Sequence, residues 1–277
     1  LLEDGYVIAN FDGIDFDEAI AVINRDLGTV SYGEVERFAP RVDHGEFIYS
    51  AYDWPSDESI CLRSELTYSQ NAPDVLVYHL PSSEADSITF RVADNRRMLE
   101  IVSEDVLGRL DREGWILERT FGQGFGISYE EAFRVGSAAG VAEYCGSNEI
   151  SYEWHSDSRL ATSQKRNAVI NHPILNESCW FNQAAFLSKW SLDSDVLEYI
   201  QQLVGEENLP FRTKFGGGDI FPKGFVDHVN ESYDEIGRDI PLKRGEFLIM
   251  DNLLCAHGHA PYGNAGSALV TMLTYAR

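Results

Sequence analysis

Between residues 45 and 95 the chain carries four short strand-like runs, "EFIYSAY", "SELTYS", "DVLVYHL" and "SITFRVA", and "EFLIMDN" and "SALVTMLTYA" resume the pattern at its end. Helical patterns separate the two groups, at 95–113, 129–146, 193–204 and 222–236. The start reads as a strand, "YVIANF", and an amphipathic helix with apolar Ala19, Ile20, Val22 and Ile23. Strand groups split by helical excursions predict a mainly β protein with helical insertions, built as a sandwich or jelly roll. No repeat or low-complexity linker divides the chain, so residues 1–277 are expected to form one domain with a helical insertion at about 95–146. The glycine clusters "FGGGD" (215–219) and "FGQGFG" (121–126) lack the strand, spacing and helix of a nucleotide fingerprint and are expected to be loops.

Charge narrows the partners. With 22 Lys and Arg against 45 Asp and Glu, the formal charge of −23 repels phosphate backbones and anionic membranes, which argues against nucleic acid. Cys61, Cys145, Cys179 and Cys255 form no C-x-x-C pair, so neither a zinc site nor a disulfide framework is expected, and buried free thiols are. No apolar run reaches the roughly 18 residues of a membrane span, and no basic region followed by an apolar one opens the chain. The expected location is cytoplasmic.

Several segments together resemble the taurine dioxygenase (TauD/TfdA-like) superfamily of iron(II) and 2-oxoglutarate dependent oxygenases, and within it the aspartyl hydroxylase-like enzymes of peptide natural-product pathways. They are "LRSELTYSQNAPDVLVYHL" (62–80), "VADNRR" (92–97), "RLATSQKRNAVINHPILNESCWFNQAAFL" (159–187), "GEENLP" (205–210) and "RGEFLIMDNLLCAHGHAPYG" (244–263). The resemblance runs from about residue 35 onward and implies a double-stranded β-helix. It also implies a metal site made of a His-x-Asp/Glu pair and a distal histidine, a facial triad that leaves positions open for 2-oxoglutarate and oxygen. On that pattern the distal histidine is His257, the carboxylate is Glu65, and the first histidine is replaced by Arg63.

Arginine stays protonated and has no lone pair to give, so Arg63 cannot be a ligand. It places a fixed positive charge near the metal position and suits pairing with a carboxylate, Glu65 or a substrate acid. The family's 2-oxoglutarate clamp arginine falls at Gly266 or Ser267 here, and its supporting threonine has only a shifted counterpart, Thr89. The expectation is therefore a member of the superfamily with no cofactor, acting without iron or 2-oxoglutarate. Its catalytic residues would be Arg63, Glu65 and His257. Any metal bound after all would rest on Glu65 and His257. Halogenases of this fold lose the carboxylate and keep both histidines, the opposite pattern.

Other signals carry less. His44, His155 and His259 each begin or end a short pair resembling the metal motif, and are read as surface, loop or packing residues, with a rearranged site using His257 and His44 or His155 as the alternative. The resemblance places Asn182 and Gln183 of "WFNQ" near the site mouth as substrate contacts, with a strand-supporting role equally open, and Arg159 could hold a carboxylate or anchor a loop. Asp251 is read as a buried structural carboxylate. Three functions follow in order. The first is a repurposed enzyme of natural-product biosynthesis, using acid/base chemistry on a small acid or amino-acid derivative that could be carrier-tethered. The second is a non-catalytic binding protein, and the third an oxygenase with unusual metal ligation. Oligomeric state is not encoded in any of these signals.

Overall fold

In the computed structural model the described residues are 1–11, 13–51, 59–81, 86–259, 261 and 268–276. Two antiparallel sheets face each other. The larger runs Tyr6–Asn10, Glu246–Asp251, Val75–His79, Leu269–Tyr275, Ile48–Ser50, Asp43–Gly45, with Thr29–Ser31 also pairing with Leu269–Tyr275. The smaller runs Arg238–Lys243, Ser87–Asp94, Cys255–His259, Ile60–Arg63.

Strand alternation explains how the larger sheet is covered on both faces. Leu76 and Tyr78 point into the core between the sheets, where they meet Phe90, Val92 and Ala256 from the smaller one. Val75 and Val77 point the other way, onto Ala19, Ile20 and Ile23 of the helix Phe16–Leu27. That helix starts where the Asp15 carboxylate accepts from the Glu18 amide and ends at Gly28, whose φ of 67° is the left-handed conformation glycine tolerates. The first four residues of the "VLVYH" strand are thus buried on both faces, with His79 half-buried at its end.

The excursion departs from Asp94 and returns at Arg238, which pairs with Val92 on the strand just left. It is larger and less helical than a 95–146 helical insertion. Helices Asn95–Ile101, Glu104–Glu113, Tyr129–Phe133 and Ala138–Ser147 are present, but the strand Trp115–Phe121 lies among them. Its alternate residues Trp115, Leu117, Arg119 and Phe121 are buried, a two-residue period hidden in sequence by the charged Glu118 and Arg119. It joins Phe211–Phe215, Leu160–Arg166 and Ile150–Trp154 in a third antiparallel sheet. The helices expected at 193–204 and 222–236 are found as Ser194–Val204 and Lys223–Ile236.

The "SELTYS" strand is not formed. Pairing ends at Arg63, and Leu66 takes a left-handed φ of 53°, turning the chain. Cys145, Cys179 and Cys255 are buried free thiols, while Cys61 is exposed. No helix among the described residues is long and apolar enough to cross a membrane.

Candidate active site

The site forms where the smaller sheet meets the turn that follows Ile60–Arg63. Arg63 and His257 are opposite one another in the antiparallel pairing of Ile60–Arg63 with Cys255–His259. Glu65 joins them from the turn, not from the same face of a strand. Its position is set by Asn252, which is fully buried: the Asn252 side-chain oxygen accepts from the Glu65 amide at 2.7 Å, and its nitrogen donates to the Glu65 carbonyl at 2.9 Å and to the Pro73 carbonyl at 2.8 Å. Asn95 holds the preceding residue by donating to the Ser64 hydroxyl at 2.9 Å and to the Leu253 carbonyl at 2.9 Å. A side-chain amide that bonds like a strand neighbour replaces the ladder where pairing stops.

The three side chains converge. Arg63 Nη2 donates to Glu65 Oε1 at 3.0 Å, and His257 Nε2 lies 3.5 Å from the same oxygen. Phe186 stacks against the Arg63 guanidinium, 4.7 Å from ring centre to Cζ. From across the core, the Tyr78 hydroxyl is 2.8 Å from His257 Nε2. All three residues are buried, His257 completely.

A second guanidinium, unforeseen in the sequence, enters from a strap at 33–41. Arg41 Nη2 lies 3.4 Å from Glu65 Oε2 and Arg41 Nε lies 3.2 Å from Glu34 Oε1; Glu34 Oε2 lies 3.3 Å from Arg37 Nε. A chain of alternating charge, buried except for a partly exposed Arg41, therefore runs Arg37, Glu34, Arg41, Glu65, Arg63. The run "GEVERFAPR" carries four charged residues, a composition that ordinarily marks a solvated loop and gives no sign of burial.

Charge states follow from these contacts. Burial pushes the Glu65 carboxyl up, but Arg63 above all, then Arg41 and His257, hold it well below the usual carboxylate range. Burial pushes the His257 imidazole down, with Arg63 and Arg41 adding to the effect against Glu65. The centre is an ionised carboxylate beside a neutral imidazole.

The remaining sequence candidates are distributed as follows. Asn182 is occupied by backbone, donating to the Ala168 carbonyl at 3.1 Å and accepting from the Ala184 amide at 3.2 Å. Gln183 is equally buried, but its side-chain oxygen has no hydrogen-bond partner. Arg159 pairs with Asp157 in the turn between Ile150–Trp154 and Leu160–Arg166. Asp251 is a structural carboxylate, accepting from the Leu253 and Leu254 amides at 2.9 and 3.0 Å and lying 2.9 Å from His172 Nε2. His44 is exposed on Asp43–Gly45, His155 lies in a turn, and His259 is buried beyond a register shift. Thr89 is exposed on Ser87–Asp94, opposite Pro241. Gly266 and Ser267 lie outside the described residues. Among the described residues no three His, Cys, Asp or Glu side chains cluster as a metal-binding group.

Comparison with known proteins agrees with the sequence resemblance. The family described as "Taurine catabolism dioxygenase TauD, TfdA family" matches residues 5–273. The dapdiamide synthesis protein DdaC of Enterobacter agglomerans is 28% identical over 273 residues, covering 99% of this chain and 83% of that protein. A taurine dioxygenase from Burkholderia xenovorans superposes with a TM-score of 0.53 at 12% identity, over 100% of this chain and 78% of its own. An asparagine oxygenase, solved with Fe(II), 2S,3S-3-hydroxyasparagine and succinate, gives 0.52 at 12% identity over 98% and 74%. These structures establish the jelly-roll fold. They also overturn the expectation of a chain with no cofactor: the neighbours include one holding iron and succinate, and another holding Mn(II) and N-oxalylglycine.

Proposed function

The chain belongs to the TauD, TfdA family, and from that premise we propose that it is an enzyme of natural-product biosynthesis acting on a small acid or amino-acid derivative, free or carrier-tethered. The observation that carries this reading is the convergence of Arg63, Glu65 and His257 on one point inside the jelly roll. The named relatives point to the substrate class, one being a dapdiamide synthesis protein and another an asparagine oxygenase solved with a hydroxylated asparagine.

The groups held by the solved neighbours meet an incomplete set of donors in this chain. Glu65 and His257 offer an oxygen and a nitrogen; Arg63 offers none and is bonded to Glu65. The residues present thus do not fit the family's three-ligand metal centre. Their own chemistry is proton transfer and anion binding. His257, neutral and hydrogen-bonded to Tyr78, is placed to accept or return a proton at Nε2. Arg63, held by Glu65 and Phe186, presents a rigid cation to a substrate carboxylate or a developing oxyanion. Gln183 offers its unpartnered oxygen to a substrate N–H.

The test is mass spectrometry of amino acids and their amides incubated with the purified chain, with and without iron(II), 2-oxoglutarate and oxygen. Turnover that falls by about a hundredfold or more in Arg63→Lys and His257→Asn, with unchanged circular dichroism, supports the assignment. A product heavier by one oxygen only in the presence of iron and 2-oxoglutarate assigns hydroxylation with unusual ligation, and variants that remain fully active remove these residues from the chemistry.

A further inference from the structure

The strap at 33–41 carries an unfinished polar pair. Glu34 and Arg37 are 2% and 7% exposed, and Glu34 Oε2 is close enough to Arg37 Nε to attract it, at 3.3 Å. Yet the N–H is not aimed at the oxygen. Arg37 Nε, Arg37 Nη2 and Glu34 Oε2 all lack a hydrogen-bond partner. Buried donors and acceptors are nearly always satisfied, so three orphaned atoms on two adjoining side chains point to something that completes them.

The geometry of those atoms identifies the chemistry. Nε and Nη2 form one edge of the guanidinium, the side-on fork that donates to both oxygens of a carboxylate. The guanidinium is kept in place by the Tyr49 ring, 5.1 Å from its carbon. Beside the fork stands an acceptor, Glu34 Oε2, that suits a cation. Burial pushes the Glu34 carboxyl up while Arg41 and Arg37 pull it down, and an arriving ammonium would favour its charged form. An adjacent anion and cation describe the head of an amino acid.

We propose that Arg37 and Glu34 form the seat for a substrate's α-amino-acid head group, the carboxylate on the Arg37 fork and the ammonium on Glu34. This rests on the reading of the protein as one that acts on an amino-acid derivative. The seat is joined to the reacting centre through Arg41, which touches both Glu34 and Glu65. A bound amino acid would be anchored by its head on the strap, on the far side of Arg41 from Glu65.

Calorimetric titration of the full chain with the protein amino acids tests the proposal, followed by the best binder's analogues lacking the carboxylate or the amine. The expected result is binding by the natural chain, loss of about tenfold or more in affinity with either analogue, and a similar loss in Arg37→Lys and Glu34→Gln toward the intact amino acid. Binding by the natural chain that Arg37→Lys retains in full overturns the seat and leaves the wider reading standing. If the natural chain binds none of the amino acids, the seat falls, while the wider reading, which includes other acids and carrier-tethered derivatives, is decided by the turnover of the Arg63 and His257 variants. Should Arg37→Lys fail to fold, the Arg37 Nε–H resonance of the natural chain decides: it shifts on ligand addition if the seat is real, and stays unmoved if water alone completes the pair.

Discussion

Arg63 and His257 are direct cross-strand partners, and both reach the same oxygen of Glu65, at 3.0 and 3.5 Å. Their neighbourhood is set by β-pairing, so it does not depend on loop conformation. Glu65, by contrast, is placed by one side chain, and that difference organises what substitutions should do.

Asn252→Ala removes three hydrogen bonds that hold the turn and leaves buried backbone groups of Glu65 and Pro73 unpaired. A loss of about 3 kcal/mol or more in unfolding free energy is expected from urea denaturation. Asn252→Asp keeps the acceptor but turns a buried carboxylate oxygen onto the two carbonyls that the amide served, and should lose at least as much.

The neighbours Asn182 and Gln183 should behave oppositely although both are buried. Asn182→Ala loses two backbone contacts and should destabilise by about 1–3 kcal/mol, whereas Gln183→Met removes an oxygen that bonds nothing and should stay within about 1 kcal/mol. Thermal denaturation of the two variants measures the contrast. Equal losses would mean that Gln183 has a structural partner.

Gly258 sits at the register shift between His257 and His259, and a Cβ there would stand 2.2 Å from the Ile60 carbonyl oxygen. Gly258→Ala should therefore push apart the pairing that brings Arg63 to His257, lowering stability by about 2 kcal/mol or more and abolishing any turnover that depends on the site. Activity and urea midpoint, measured together, check this.

A pH dependence comes from His79, stacked on Phe247 with ring centres 4.2 Å apart. Burial lowers its pKa below the ordinary value, against the hydrogen bond to the Glu246 carbonyl. The folded protein favours neutral His79 and the unfolded chain takes up the proton more readily. Its contribution is therefore present above pH of about 6.5 and is lost as pH falls through the folded value. His79→Phe should flatten the fall in urea midpoint between pH 7.5 and 5; an unchanged slope would assign that fall to other groups.

Much of the fold was legible because most of its strands follow apolar periodicity and the helices expected at 193–204 and 222–236 follow theirs, while the stretches 95–113 and 129–146 each divide into two helices. The strand Trp115–Phe121 was not, since its buried Arg119 donates to backbone carbonyls of residues 36 and 37 and so reads as polar while packing as core. At the site, family order points to Arg63, Glu65 and His257, and the structure places their side chains together, with Glu65 delivered by a turn. Arg41, Glu34, Arg37 and Asn252 were missed: charges in a loop and an asparagine after a strand have no local pattern that announces burial. The expectation of no cofactor joined three departures, Arg63 in a ligand's place, Gly266 or Ser267 in place of the clamp arginine and a shifted Thr89, and the iron- and manganese-bound neighbours overturn it.

We propose that Arg63 stands in a metal ligand's place and reshapes the site around Glu65. Anaerobic iron(II) titration in the presence of 2-oxoglutarate, on the natural chain and on Arg63→His, tests it most directly. The replacement supplies a third donor, removes a fixed charge and frees Glu65, so iron affinity should rise by about tenfold or more. Equal, tight binding by both proteins would contradict the claim and show that the metal in this chain is held without regard to Arg63.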